Sequence, residues 1–133
     1  MTLERVNPPE LGRPSGFSHA VVTTGGRLVF LAGQIAHGAD GAIVGDTVAE
    51  LFEPALANLL EALGAAGGAP EHLASLTIYA VDLDDYRAQG REIGLAWRRL
   101  AGREYPAMAA IGVSRLWDPA ALVEIQGQAV IGP

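Results

Sequence analysis

Cysteine is absent from this chain, and so is lysine; all nine basic residues are arginine. Without cysteine there is no disulfide, no thiolate nucleophile and no Cys-ligated metal. Without lysine there is no enzyme-bound Schiff base, no covalently held pyridoxal phosphate and no Walker lysine. Long apolar runs are missing too. None approaches the ~18 residues that span a bilayer. The opening MTLERVNPPELGRPSG lacks the apolar centre of a signal peptide, so a cytoplasmic protein is expected. Positive charge is scarce. The formal net charge is −6, and the densest basic group is Arg98, Arg99 and Arg103, a solvated helix face. Nucleic-acid binders gather basic residues on one face, and an acidic surface disfavours anionic membranes, so neither is an expected partner. His19, His37 and His72 show neither i, i+4 pairing nor zinc-type spacing, so no metal site is expected. The glycines of AHGADGAIVG form no GxGxxG or GxxxxGK motif, which argues against a nucleotide cofactor.

What is there is apolar. Half of the 133 residues are hydrophobic. That fits one domain, residues 1–133, with a core of its own. The core of a chain this short is modest, so a partner surface adds stability. Residues 1–15 are rich in Pro and Gly and read as an irregular segment. FSHAVVTT, a GG turn and RLVFLAGQI then read as a hairpin over residues 17–35. From Asp46 the apolar period becomes helical, with Val48, Phe52, Ala55, Leu56, Leu59 and Leu63 on one face. Asp46 or Thr47 can cap that helix, and the glycines at 64, 67 and 68 stop it. ASLTIYAV is a strand. A second helix starts near VDLDDY, with Asp84 or Asp85 as cap, and shows Tyr86, Gly90, Ile93, Trp97 and Leu100 on its apolar face. A glycine there costs ~1 kcal/mol against alanine, so close packing at Gly90 is expected. YPAMAAIGVSRL and ALVEIQGQAVI are the last two strands, joined by WDPA. The order ββαβαββ is an α+β sandwich with two helices on one face of a single sheet. The other face of the sheet is left bare.

The strands say what that bare face carries. In the last strand Val123, Ile125, Ala129 and Ile131 point one way, while Leu122, Glu124, Gln126, Gln128 and Val130 point the other. The second set puts an acid and two amides on the uncovered side. In the strand before it, Met108, Ala110, Gly112 and Ser114 are assigned to the same side, opposite Ala109, Ile111 and Val113. Small residues beside amides and a carboxylate suggest an oligomer interface or a cleft, with Glu124 at its edge.

GRLVFLAGQI, PALANLLEALGAAGG, LTIYAVDLDDY, YPAMAAIGVSRL and ALVEIQGQAVI, in this order, resemble the RidA (YjgF-type) family from about residue 16 to residue 131. The resemblance implies a chorismate-mutase-like fold, a homotrimer whose sheets form a central barrel, and clefts between subunits. Archetypal members hydrolyse 2-imino and enamino acids to 2-keto acids and ammonia. Their glutamate that handles the attacking water falls on Glu124. Their SGQ turn falls on Ala32, Gly33 and Gln34, and their N-terminal aromatic falls near Phe17. Two positions depart. The family's PAR is PAM here, so Met108 stands where an arginine would clamp a carboxylate, and Gly90 stands where an asparagine is usual. An arginine fork gives bidentate charge-assisted bonds that a thioether cannot. A neutral or apolar substrate therefore suits this chain better than a free amino-acid imine.

The expected site is Glu124 as general acid/base or water-orienting group, with Met108 as a pocket wall. Ser18 and His19 beside Phe17 are candidates for a polar contact or proton relay, and the Gly33 region for backbone donors. Gly90 and Ala110 belong to the candidate lining, and Tyr105 and Trp117 to the mouth of the cleft. The expected function is a cofactor-free imine or enamine hydrolase, or a related tautomerase. The alternative is a non-catalytic small-molecule-binding trimer. The acidic charge, the missing lysine and the lack of a histidine pair speak against ribonuclease chemistry.

Overall fold

A computed structural model describes residues 3–132. Its centre is a four-stranded sheet in the order β3-β6-β4-β5, built from β3 (Arg27–Gln34), β4 (Leu73–Ala80), β5 (Ala107–Gly112) and β6 (Val123–Ile131). β6 runs antiparallel to both β3 and β4, while β4 and β5 are parallel. A parallel pair needs a crossover. Here two helices supply it, α2 (Leu83–Ala88) and α3 (Gly90–Ala101). The remaining helix, α1 (Val48–Ala65), packs on β6, β3 and α3.

The helix-facing side holds the core. α1 buries Val48, Leu51, Phe52, Ala55, Leu56, Leu59 and Leu63, the stripe that its spacing calls for. Thr47 caps it by accepting from the Glu50 N–H at 3.2 Å. At its end Gly67 takes φ +93° and the Gly68 N–H donates to the Leu63 carbonyl, a glycine stop. From the sheet come Leu76, Ile78 and Ala80 of β4 and Val123, Ile125 and Ala129 of β6, all buried. Gly127 of β6 is a glycine by necessity, because a Cβ there would collide with the Ser75 carbonyl and the Leu76 side chain of β4.

The structure corrects several expectations. Residues 17–35 do not form a hairpin. β2 (Ala20–Val22) pairs instead with β1 (Glu4–Val6) in a separate two-stranded sheet, and β3 pairs with β6. The segment before residue 16 is thus not wholly irregular, and the sheet is not single. Arg5 ties this small sheet to the body, donating from Nε to the Tyr105 carbonyl at 3.3 Å and meeting Glu104 at 3.3 Å. The second helix is broken at Gln89, and its cap is Asp82, which accepts from the Asp85 N–H at 3.0 Å.

The alternation of β5 is also reversed. Met108 is level with the buried Leu76 and Ala110 with the buried Ile78, so both turn towards the helices. A Cβ on Gly112 would meet Leu83 of α2 at 3.4 Å, on the same side. Ala107, Ala109 and Ile111 are the residues on the bare face. β5 has apolar residues on both sides, so its sequence offers no contrast between them.

Candidate functional site

A cavity of about 190 Å³ opens between α3, the start of β5 and the Ser15–Gly16 turn. Met108 and Ile78 form its sheet side, Phe52 its α1 side, and Tyr86, Gly90, Ile93, Gly94 and Trp97 its α2–α3 side. Tyr105 closes the rim and stacks on Trp97, with centroids 5.9 Å apart and planes 22° from parallel. No charged side chain is among the lining residues. Burial pushes the Tyr86 phenol up to about 12, so that group is neutral at any ordinary pH. The indole Nε1–H of Trp97 is buried with no acceptor among the described residues, an unmet donor in the wall.

Gly90 is not held by close packing. A Cβ there would meet nothing within 4 Å, so the glycine leaves space beside the cavity and fits no neighbour. The expectation of a tight contact at this position is overturned.

Glu124 lies elsewhere. It is level with Tyr79 of β4, on the bare face of the sheet, and is half-buried. The β3–β6 ladder slips between Leu31 and Gln34, so Ala32 and Gly33 form a bulge beside it. A Cβ on Gly33 would sit 2.5 Å from Glu124 Oε2 and 2.8 Å from its Cδ. The carboxylate therefore lies directly over the glycine, which has room for it only because it has no side chain. Further along the same face Gln126 donates to the Tyr79 hydroxyl at 3.1 Å, and Gln128 bonds to Ser75. Around this polar row the face is apolar and open. Phe30 is 75% exposed, with Leu28 and Ile111 also exposed.

The structure thus sets the candidate residues apart. Gly90, Tyr105 and Met108 come together in the cavity wall, while Glu124, Ala32 and Gly33 come together on the opposite face. Phe17, Ser18 and His19 line a shallow depression with Ala107 and Met108 at the β5 edge. Ser18 is buried there and committed to the fold. Its hydroxyl donates to the Tyr105 carbonyl at 2.6 Å and its N–H to the Pro106 carbonyl at 3.0 Å. His19 meets the Gly12 carbonyl through Nε2 at 3.1 Å, which requires the proton on that nitrogen. Its ring also stands edge-on to Phe17, at 5.1 Å. Ala110 is exposed near the middle of β5 and Trp117 is 98% exposed in the β5–β6 loop; neither lines the cavity. Sequence reasoning placed Tyr86 and Trp97 on a helix face and gave them no part in the site. The signal that marks them is the glycine pair at 90 and 94, one turn apart between the two aromatics.

A sheet backed by helices on one side and bare on the other is a mixed α+β fold, and it matches that of Rid proteins. The chain belongs to the endoribonuclease L-PSP family, whose model matches residues 10–131. The fold superposes on YyfB of Yersinia pestis, a Rid-family protein of unknown function. The TM-score is 0.87 and the identity 34%, over 98% of this chain and 100% of that one. It is also similar to a putative endoribonuclease from Thermotoga maritima, with TM-score 0.70 and 26% identity over 100% and 98% of the two chains. A third similar structure is a member of the YjgF/YER057c/UK114 family from Mycobacterium tuberculosis, with TM-score 0.64 and 28% identity over 98% and 100%. Among curated proteins nothing matches. Among the described residues no helix is long and apolar enough to cross a membrane.

Proposed function

We propose that this chain is a cytoplasmic, cofactor-free imine or enamine hydrolase, or a related tautomerase, that works as a homotrimer on a small uncharged metabolite. The observation that carries this reading is the division of the candidate site. One chain offers a neutral pocket at the β5 edge and a half-buried carboxylate on the bare face, and the two cannot meet within that chain. A second copy that lays its bare face beside the β5 edge brings its Glu124 to the pocket. The exposed Phe30, Leu28 and Ile111 make such self-association favourable, because water leaves the apolar surface.

At such a cleft the chemistry needs no cofactor, since an imine carbon is already electrophilic. Glu124 orients a water and takes its proton as the oxygen adds to carbon. The same carboxyl group then returns the proton to nitrogen. The carbinolamine hydroxyl then gives its proton, through the same carboxylate, to the nitrogen as the C–N bond breaks, releasing an amine or ammonia and leaving the carbonyl product. Met108 gives no charge-assisted bond to a carboxylate, which supports an uncharged substrate. The Ala32–Gly33 bulge lies beside the carboxylate, and its backbone N–H groups are our candidates to hold the developing charge.

A second reading, a non-catalytic binder of the same assembly, is favoured by one observation. Both positions that depart from the family pattern, Met108 and Gly90, make the cavity less polar. Imine turnover separates the two. Imines generated in situ from amines and from amino acids give a panel without and with a carboxylate. The hydrolase reading expects release of carbonyl product from the neutral imines, and at least a hundredfold loss in Glu124→Gln. No turnover of any imine hands the lead to the binder.

A further inference from the structure

We infer that the cavity between α3 and β5 is a specificity pocket for an uncharged, flat, aryl-sized group, kept open by the glycine pair Gly90 and Gly94. This rests on the reading of that cavity as part of the substrate cleft.

Size and shape come first. An apolar cavity of about 150 Å³ is large enough to hold benzene. The cavity here, about 190 Å³, takes a six-membered aromatic ring with a short substituent. Two of its lining residues, Trp97 and Tyr105, are aromatic and stack on each other. Ring faces and edges are the surfaces that pair best with an aromatic guest. The lining carries no charge. A carboxylate or ammonium placed there would lose hydration without a charged side chain in the lining to compensate.

The glycines give the second argument. Both lie in α3 and both line the cavity, one helical turn apart. Glycine is the poorest helix former after proline. Nothing in the chain demands it at either place. A Cβ at Gly90 would meet no atom within 4 Å, and one at Gly94 only the Arg98 Nη2 at 4.0 Å. Neither position has a positive φ. What the two glycines provide is therefore the space in front of them. Gly90 lines the pocket from the helix side, so a longer side chain there competes with a guest for the same space.

Binding can be read without turnover. The chain has two tryptophans, Trp97 in the wall and Trp117, 98% exposed. In the full chain carrying Trp117→Phe, the emission of Trp97 reports occupation of the pocket. Toluene and benzamide are expected to change that emission saturably. Benzoate, the charged isostere of benzamide, is expected to bind at least tenfold more weakly. Gly90→Leu is expected to weaken benzamide at least tenfold without lowering the thermal midpoint, and Gly90→Ala to fall between. The proposal is overturned if benzoate binds as well as benzamide, if neither neutral probe binds, or if Gly90→Leu leaves the affinity unchanged. Failure here with neutral-imine turnover intact sinks the aryl pocket alone. Saturable benzamide binding with no turnover of any imine sinks the hydrolase reading alone.

Discussion

Met108 and Glu124 stand on opposite faces of one sheet, on either side of β4. Met108 is level with Leu76 and turns to the helices, whereas Glu124 is level with Tyr79 and turns to the bare face. Leu76 and Tyr79 are an odd number of residues apart in a strand without a bulge between them, so their side chains point to opposite sides. Short of unfolding, one chain cannot bring this methionine and this carboxylate together. A cleft that uses both is made from two copies, each contributing one of the two residues.

The bare face should hold the assembly together. Phe30 is 75% exposed, and Leu28 beside it is 57% exposed. Phe30→Glu places a charge where a partner copy would desolvate it. The expected outcome is a shift from three chains to one in sedimentation equilibrium, with helix content by circular dichroism retained. A variant that still sediments as three chains would put the interface elsewhere.

Gly33→Ala should separate activity from stability. Its new Cβ would lie 2.5 Å from Glu124 Oε2, so the carboxylate must swing aside. The end of a glutamate moves cheaply, and the expected cost in unfolding free energy is within about 1 kcal/mol. The loss of imine turnover is expected to be at least tenfold, since a displaced carboxylate no longer orients the water. Urea titration and initial rates on one preparation check both numbers.

Trp97 should respond very unequally to two substitutions. Trp97→Ala empties a buried position that is 4% exposed, and about 3–5 kcal/mol of stability is expected to go. Trp97→Phe keeps an aromatic ring against Tyr105 and removes a buried N–H that has no acceptor among the described residues. Relief of that donor offsets part of the lost volume, so a change of no more than about 1.5 kcal/mol is expected by urea unfolding.

Tyr86 should leave a mark at alkaline pH. Burial raises it from 10.0 to about 12 in the folded chain. Between those values the unfolded chain has lost the phenolic proton and the folded chain keeps it. Stability from this group is thus complete below pH 10 and falls as pH rises towards 12. The expected fall is roughly 2–3 kcal/mol across that window. In Tyr86→Phe this component of the slope is absent, and the comparison of the two urea midpoints from pH 9 to pH 12 measures it.

Much of the fold could be read from the chain, and the exceptions have physical reasons. The α1 stripe and the alternation of β6 were legible because each has a polar side and a buried side. β5 was misread because Met108 and Ala110 on one side and Ala109 and Ile111 on the other are all apolar. The false hairpin came from a sound local signal, glycines at 25 and 26 between two strand-like runs. The true partner of β2 is β1, and nothing in the sequence near Val21 announces Arg5. Family resemblance singled out Glu124, Gly33, Met108 and Gly90, and the structure sets Gly33 against Glu124 and puts Gly90 and Met108 in one cavity. Trp97 and Tyr86 were hidden because a cavity-lining aromatic and a core aromatic look alike along a helix. The roles of Ser18 and His19 were also hidden, since carbonyls from Tyr105 and Gly12, distant in sequence, engage their polar atoms.

The most direct test of a cleft shared between copies is complementation. Glu124→Gln supplies an intact pocket without the carboxylate, and Gly90→Leu an intact carboxylate with a filled pocket. Each homotrimer alone is expected to be nearly inactive on a neutral imine. Co-expressed in equal amounts, the two variants mix. A site built head-to-tail from two copies is then intact when both halves come from the right variants, at about one site in four. The expected result is recovery of roughly a quarter of wild-type turnover in the co-expressed population as a whole, or about a third in the mixed trimers themselves. Mixed trimers no more active than the separate variants would mean that pocket and carboxylate act within one chain or not together, and a cleft shared between copies would be ruled out.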